Sequence, residues 1–225
     1  MANASYAFFD VDETLIRTKS MFDFYRFFCA FRGADRDFKA FEKDFAEMRR
    51  FKWSREELNR AYYRYLAGIA PDELSRAGVR WWAQASTRPG ILIRESLALL
   101  KTLRDDGVTP VFVSGSFEEI LDPIGRQLGV HMFLCAPMEI GQGGYYTGEL
   151  GSPQTIGAGK AQAVDAFLKV HGACISQCWA VGDDLSDLPM LEAVGRSVAV
   201  GTGTPLARLA RERGWVVLEG AATLA

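Results

Sequence analysis

Seven polar side chains lie near the ends of the predicted strands and helices, and the carboxylates among them could bind a metal ion. Asp10 and Asp12 follow the apolar run of residues 6–9, and Ser114 follows the β-rich run of residues 109–113. Several carboxylates in one place would raise each other's pKa values unless a cation neutralised them. Because all-oxygen ligands with room for water favour Mg²⁺, the expected chemistry is that of a magnesium–carboxylate site. The other candidates are Asp183, Asp184, Asp187 and Lys160.

The elements that position these residues alternate in type after Pro89-Gly90. Repeated strand–helix units imply an α/β protein with a mostly parallel sheet and helices on both faces. In open parallel sheets, ligands bind at the carboxyl ends of the strands, so the polar residues are predicted to meet along one edge of the sheet. The predicted strands are residues 109–113, 131–135, 178–181, 197–200 and 215–218, the predicted helices are 91–106, 117–128, 158–171, 185–194 and 205–213, and a hairpin is predicted at 138–147.

Each candidate also has a structural interpretation. Asp10 and Asp12 could form a turn, Ser114 could cap the following helix, and Lys160 could be a solvated lysine at a helix end. Asp184 could either support a metal site or be an exposed acid. The polar residues come from three separate parts of the chain, namely Asp10 with Asp12, then Ser114, then Asp183 with Asp184 and Asp187. All three groups are expected at one edge of the sheet, which favours a shared site.

Residues 18–88 differ in character from the rest of the chain. Aromatic residues recur there at helical spacing, and Ser54 and Pro71 mark helix starts, so we predict a bundle of about four helices. The segment carries 15 basic and 10 acidic residues, a net charge of +5 against −7 for the remainder, and 16 of the 27 aromatic residues. Helical spacing favours an aromatic core with a charged outer face over a nucleic-acid surface. The sheet is therefore predicted to be interrupted by a helical insert.

The composition excludes several classes of protein. The 225 residues are 48% hydrophobic and 24% charged, as in ordinary globular proteins, and no apolar run approaches the roughly 18 residues of a membrane span. The N-terminus lacks the pattern of a signal peptide. Four scattered cysteines and two distant histidines argue against a disulfide framework, a zinc site or a Ser-His-Asp triad. We expect a cytoplasmic protein with neither a nucleic-acid nor a membrane partner; the sequence does not predict its oligomeric state.

Four short stretches, taken in order, resemble the motifs of the haloacid dehalogenase (HAD) superfamily. The similar stretches are residues 8–15 (the DxDx(T/V)(L/V) motif), residues 113–116, Lys160 and residues 182–187 (the GDxxxD motif). The resemblance covers essentially the whole chain and is nearest to the phosphoserine-phosphatase-like subfamily IB, whose members carry a hairpin similar to residues 144–149. It implies a Rossmann-like catalytic core at residues 1–17 and 89–225 and an inserted helical C1 cap at residues 18–88.

This resemblance also implies a mechanism for phosphate ester hydrolysis. Asp10 would attack phosphorus in line and form an aspartyl-phosphate. Asp12 would protonate the leaving alkoxide and then accept a proton from the hydrolytic water. Ser114 and the backbone N–H of Gly115 would hold the non-bridging oxygens, and Lys160 would add positive charge.

The same resemblance implies the metal ligands. Asp10, the backbone carbonyl of Asp12, and Asp183 would hold Mg²⁺. Asp187 would orient a metal-bound water or Lys160.

Residue 19 departs from the pattern of phosphoserine phosphatases, which place a glutamate nine residues after the nucleophile to bind the substrate amine. Lys19 stands at this position and would repel an ammonium group. The expected substrate is a small phosphorylated metabolite, with Lys19 among its contacts and a second part that is anionic or hydroxylated. Arg17, Phe22 and Tyr25 are the other residues of this region expected to face it.

Three other functions are compatible with these residues. One is phosphotransfer from the same aspartyl-phosphate to an acceptor alcohol, another is phosphoserine phosphatase activity proper, and the third is a silent phosphate-binding regulatory domain. The intact set of candidate residues favours a Mg²⁺-dependent phosphatase over a silent domain. A dehalogenase is disfavoured because those relatives lack the second acid at the position of Asp12.

Overall fold

A six-stranded sheet forms the centre of the protein in the computed structural model, which describes residues 5–220. In chain order the elements are β1 (Tyr6–Phe9), α1 (Ser20–Phe31), α2 (Asp35–Arg50), α3 (Arg55–Arg64), α4 (Pro71–Ala85), α5 (Arg94–Asp105), β2 (Thr109–Val113), α6 (Glu118–Leu128), β3 (Phe133–Leu134), β4 (Met138–Ile140), β5 (Tyr146–Leu150), α7 (Ala158–His171), β6 (Trp179–Gly182), α8 (Leu188–Glu192), β7 (Arg196–Val200), α9 (Pro205–Glu212) and β8 (Val216–Leu218).

All neighbouring strands of the large sheet run parallel, in the order β3-β2-β1-β6-β7-β8. The chain moves outward from β1 in one direction through β2 and β3, and outward from β6 in the other direction. The boundary between β1 and β6 is therefore the point where the connections reverse, which is where ligands bind in open parallel sheets. The predicted α/β class with a mostly parallel sheet is confirmed.

Both faces of the sheet are covered by helices because β1 is apolar on both sides. Ala7 and Phe9 point into one apolar cluster with residues of α5 and α6, while Tyr6 and Phe8 point into a second cluster with residues of α7, α8 and α9. A central strand of a parallel sheet is expected to be hydrophobic throughout, since successive side chains face opposite layers. The strands β4 and β5 form the predicted hairpin.

Helices α1–α4 fill the segment in which a bundle was predicted. Ser54 and Glu57 form a capping box at the start of α3, and Pro71 occupies the first turn of α4, as predicted. The aromatic residues of these helices pack on one another and continue into the sheet: the ring of Phe24 lies 5.5 Å from that of Phe117, edge to face, at the start of α6. Their core is thus continuous with the apolar layer on one face of the sheet. Among residues 5–220, no helix has the length and hydrophobicity needed to cross a bilayer.

Three predicted elements are shorter than expected by more than one residue. The helix predicted from residue 91 begins only at Arg94, because residues 91–93 pair with residues 15–17: the N–H of Ile93 donates to Leu15 O (3.0 Å) and that of Arg17 donates to Ile91 O (2.6 Å). The predicted strand at 131–135 contains only Phe133–Leu134, since its partner strand β2 ends opposite it.

The third difference concerns the helix predicted at residues 185–194. It is divided into a 3₁₀ turn at Leu185–Asp187 and the short α8, because two carboxylates compete for the backbone N–H groups. Asp184 accepts a hydrogen bond from Ser186 N (2.8 Å), and Asp187 accepts from the N–H groups of Asp183 and Asp184. Side-chain hydrogen bonds of this kind compete with the helical pattern.

The packing of α4 against α6 depends on the absence of a side chain at Gly78. A Cβ at this position would lie 2.0 Å from the carbonyl oxygen of Glu119. We expect Gly78→Ala to lower the free energy of unfolding by about 1–2 kcal/mol, because overpacking outweighs the gain in helix propensity. Chemical denaturation measures this change. Gly203→Ala is the matched control, since nothing lies within 4 Å of a Cβ there; equal stability of the two variants would contradict the expected clash.

Candidate active site

The predicted site residues follow three adjacent strands. Asp10 comes directly after β1, Ser114 directly after β2 and Asp183 directly after β6. Backbone hydrogen bonds extend the ladders to two of them: Asp10 N donates to Val181 O and Ser114 N donates to Leu134 O, each at 2.9 Å. The three side chains therefore meet at the carboxyl edge of the sheet, around the point where the connections reverse.

Lys160 links two of the carboxylates. Its Nζ lies 2.6 Å from Asp10 Oδ1 and 2.6 Å from Asp187 Oδ1, and the residue is 4% exposed. The lysine reaches this position from the first turn of α7, which packs tightly on the preceding loop: a Cβ at Gly159 would lie 1.7 Å from Gln154 O. A buried ammonium is tolerated here because it is paired on both sides.

Burial raises the pKa values of three carboxylates. The pKa of Asp10 rises to about 6, since burial outweighs the opposing charge of Lys160. Burial and then Asp10 raise the pKa of Asp12 to about 7, and burial followed by Asp10 and Asp187 raises that of Asp183 to about 8. Burial alone would lower the pKa of Lys160, but its two carboxylate partners raise it above the ordinary value. One ammonium is therefore too little positive charge for this cluster.

The carboxylates are close enough to share a cation. Asp10, Asp183 and Asp187 each offer an oxygen within 4.8 Å of the others. The Thr14 hydroxyl lies 2.9 Å from Asp10 Oδ2 and 3.1 Å from Asp183 Oδ1, which ties the first and last predicted motifs together. An all-carboxylate donor set suits a hard divalent ion such as Mg²⁺, so the residues fit the metal that the sequence predicts.

The side chain of Asp12 is not part of this donor set. Its Oδ2 accepts a hydrogen bond from Ser20 N (2.9 Å), while its Oδ1 is buried and forms no hydrogen bond within residues 5–220. The clustered side chains thus include Asp187, which the sequence analysis placed in a supporting role. Binding of the metal by the backbone carbonyl of Asp12 stays a prediction.

Asp184 pairs with an arginine of α3 and is not one of the clustered carboxylates. Its Oδ2 lies 2.9 Å from Nη2 of Arg55, and Nη1 of the same arginine donates to Ser186 Oγ (2.9 Å). Burial alone would raise the pKa of Asp184, but the Ser186 N–H and Arg55 lower it below the ordinary value. Asp184 therefore joins the loop after β6 to α3.

The loop after β2 is held from two directions. Thr155 Oγ1 donates to Ser114 O and the Tyr63 hydroxyl donates to Gly115 O, each at 2.7 Å. Ser114 Oγ accepts a hydrogen bond from Ser116 N (3.1 Å). This serine loop, residues 114–116, faces the same cavity as the carboxylates.

A cavity of about 280 Å³ separates the sheet edge from helices α1–α3. Lys19 and Phe22 line it as predicted, although the ammonium of Lys19 also pairs with Glu13. The prediction for Arg17 and Tyr25 was wrong: neither lines the cavity. Arg17 lies exposed on the strand-like connection, and Tyr25 is buried, its ring packed 4.6 Å from that of Phe41.

Three polar lining residues from α3 were missed by the sequence analysis, namely Arg55, Asn59 and Tyr62. Their spacing of four and three residues places them on one face of the helix. A search for polar residues on that face could have found them.

Comparison with known proteins places the chain in a family. Residues 7–192 match the family model of haloacid dehalogenase-like hydrolases. A probable phosphatase of Mycobacterium tuberculosis is 38% identical over 128 residues, which cover 57% of this chain and 44% of that protein. The chain spans less than half the length of the first curated relatives it matches.

Solved structures show the same fold. A protein of unknown function from Bordetella pertussis Tohama I superposes with a TM-score of 0.83 at 24% identity, over 96% of this chain and 99% of that one. A substrate-bound phosphoserine phosphatase superposes with a TM-score of 0.65 at 18% identity, over 97% of this chain and 94% of that one. The chain belongs to the haloacid dehalogenase-like hydrolase family.

Proposed function

We propose that the chain is a Mg²⁺-dependent phosphatase that hydrolyses a small phosphate monoester through an aspartyl-phosphate on Asp10. The observation that carries this proposal is the meeting of Asp10, Asp183 and Asp187 with Lys160 at the carboxyl edge of the sheet. A relative named a probable phosphatase and a shared fold with a phosphoserine phosphatase support the same reaction class.

Asp10 is the nucleophile in this proposal. Lys160 donates to one of its oxygens and Thr14 to the other, so the carboxylate has a fixed orientation. A pKa of about 6 leaves it largely ionised at neutral pH, and a bound cation would lower that value further. The ionised oxygen attacks phosphorus without a separate base.

Asp12 is the general acid and base. The Ser20 N–H fixes one of its oxygens, and the other oxygen forms no hydrogen bond with any residue between 5 and 220. A pKa of about 7 allows Asp12 to hold a proton for the leaving alkoxide and to accept one from water in the second half of the reaction.

In this proposal the phosphate group is bound by Ser114, the N–H of Gly115 and Lys160. The serine loop lines the cavity beside Asp10, and a lysine that stays charged at neutral pH stabilises negative charge on the transferring phosphoryl group. Asp187 positions that lysine through its 2.6 Å ion pair.

Asp10, Asp183 and the backbone carbonyl of Asp12 would hold Mg²⁺, with Asp187 adjacent. When bound, the ion supplies positive charge that shields the nucleophile from the phosphate. The raised pKa values of the clustered acids support this assignment, because such a site gains stability when a cation replaces the protons.

Residues 18–88 act as the cap over a core of residues 1–17 and 89–225. The paired connections at 15–17 and 91–93 support this division. A small phosphorylated metabolite would bind between the two parts. Phosphoserine is a second candidate substrate because relatives are named phosphoserine phosphatases. The positive charge of Lys19 on the cavity wall would, however, repel its ammonium group.

Replacement of the nucleophile tests the reaction. We expect Asp10→Asn to lower the rate of phosphate release from p-nitrophenyl phosphate with Mg²⁺ by more than about 10³-fold, because an amide cannot form the acyl phosphate. Asp165→Asn makes the same charge change at an exposed position and should retain the wild-type rate. Full activity of Asp10→Asn would refute the assignment, and phosphate recovered mainly on added alcohols would indicate phosphotransfer.

A pH series tests the carboxylate cluster. Between the ordinary pKa of 3.8 and the value of about 8 in the folded protein, Asp183 keeps a proton that the unfolded chain has lost. Its contribution to the free energy of unfolding therefore falls as pH rises from about 4 to about 8 in EDTA. We expect Asp183→Asn to be more stable than wild type at pH 8 in EDTA, and less stable when Mg²⁺ is in excess.

Asp184→Asn is the matched control for this series. Because the folded protein lowers the pKa of Asp184, its ionised form adds stability above pH 4, and the variant should lose stability at pH 8 in EDTA. The same sign of change in both variants, measured by urea unfolding, would contradict the electrostatic assignment.

A charge reversal tests the role of Lys19. We expect Lys19→Glu to raise kcat/KM for phosphoserine relative to p-nitrophenyl phosphate by about tenfold, because an ammonium would then meet an opposite charge. Lys39→Glu, an exposed position of α2 outside the cavity, is the control. An unchanged substrate profile in Lys19→Glu would remove this residue from substrate recognition.

A further inference from the structure

The α3 wall of the cavity carries a polar group that the proposed mechanism does not use. Asn59 lines the cavity and is 7% exposed, yet its Nδ2 forms no hydrogen bond within residues 5–220. A buried amide without a partner costs free energy, so its retention is explained when a bound molecule supplies the partner. The neighbouring Ser116 hydroxyl is also buried, lines the same cavity and forms no hydrogen bond there.

Asn59 lies directly over the serine loop. A Cβ at Gly115 would be 3.5 Å from its Oδ1 and 3.7 Å from its Nδ2. The amide is therefore beside the place proposed for the phosphoryl group. A ligand bound through its phosphate would present the first atoms beyond the ester oxygen to this amide, so a hydroxyl there would complete its hydrogen bonding.

Arg49 supplies positive charge at the exposed side of the cavity. It is exposed at the end of α2, lines the cavity, and holds its guanidinium 5.1 Å from the centre of the Phe22 ring. The other two cations on this side are already engaged, Lys19 with Glu13 and Arg55 with Asp184. Arg49 is therefore the cation best able to meet a second anionic group of a ligand.

The helical side of the cavity offers nothing to an ammonium group. Within the described part of the chain, its lining residues are apolar, cationic, phenolic or amide-bearing, and none is a carboxylate. These residues are Lys19, Met21, Phe22, Phe45, Arg49, Arg55, Leu58, Asn59 and Tyr62. A volume of about 280 Å³ restricts the ligand to a small molecule.

We propose that Asn59 and Arg49 form the leaving-group subsite of the cavity. This subsite selects phosphate monoesters with a hydroxyl near the ester oxygen, a carboxylate farther out and no ammonium group. Asn59 donates to the hydroxyl oxygen and Arg49 binds the carboxylate. The inference rests on the proposed phosphatase function and identifies its substrate class.

Three esters with one three-carbon skeleton separate these contributions. D-3-Phosphoglycerate carries the hydroxyl and the carboxylate, O-phosphoserine replaces the hydroxyl by an ammonium group, and glycerol 3-phosphate lacks the carboxylate. With Mg²⁺, we expect kcat/KM for D-3-phosphoglycerate to exceed that for each of the other two esters by about tenfold. p-Nitrophenyl phosphate has neither the hydroxyl nor the carboxylate, so its hydrolysis measures the reaction without these two contacts.

Variants assign each preference to its residue. We expect Asn59→Leu to reduce the ratio of kcat/KM for D-3-phosphoglycerate to that for p-nitrophenyl phosphate by about tenfold. Arg49→Gln should reduce the ratio of D-3-phosphoglycerate to glycerol 3-phosphate by about threefold to tenfold, mainly through KM. Arg50→Gln removes the same charge from the adjacent exposed position outside the cavity and should leave both ratios unchanged. Asn59→Ala removes the amide without adding a charge beside the phosphate, and it replaces Asn59→Leu if that variant does not fold.

The outcomes separate this inference from the function on which it rests. If wild type hydrolyses p-nitrophenyl phosphate but treats the three esters alike, the leaving-group subsite is refuted and the phosphatase remains. The subsite is equally refuted if the Asn59 and Arg49 variants slow all four esters by the same factor. If wild type with Mg²⁺ hydrolyses none of them, the proposed function is refuted and the subsite with it.

Discussion

The buried ammonium of Lys160, held between Asp10 and Asp187, is the interaction on which the rest of the site depends. It joins residues 150 positions apart and fixes the start of α7 against the ends of β1 and β6. Buried charges require partners, and here the partners outnumber the cation. Burial, together with this excess of carboxylate, raises the pKa values of Asp10 and Asp183, and the excess also explains the fit to a divalent ion.

The topology of the sheet makes this convergence possible. Because connections leave β1 and β6 in opposite directions, their carboxyl ends are open to a ligand. Helices α1–α3 then provide the opposite wall of the cavity, attached through two short paired connections at residues 15–17 and 91–93. In the proposed function, catalytic chemistry and ligand selection come from different parts of the chain. The sheet edge would supply the acids and the lysine, while the helices would supply Asn59, Arg49 and the apolar contacts.

Local patterns predicted much of the fold but few of the long-range partners. The apolar run before Asp10 and the helical spacing of aromatic residues report directly on burial, so β1 and helices α1–α4 could be predicted. The sequence could also predict that the strand ends share one edge, since parallel strands impose it. It could not predict that Arg55 pairs with Asp184, because that contact depends on how α3 docks. Tyr25 was misassigned for the same reason: an aromatic residue in a helix has the same local pattern whether it faces a ligand or a core.

The central claim is that the carboxylate of Asp10 becomes phosphorylated and forms an acyl phosphate. Protein mixed with a phosphate monoester and Mg²⁺ can be quenched in acid, reduced with borohydride and digested, and the peptide containing residue 10 analysed by mass spectrometry. Borohydride converts an aspartyl-phosphate to homoserine, so the account predicts homoserine at position 10, only in the presence of the ester. Steady release of phosphate with an unmodified Asp10, or with homoserine at another position, would contradict it.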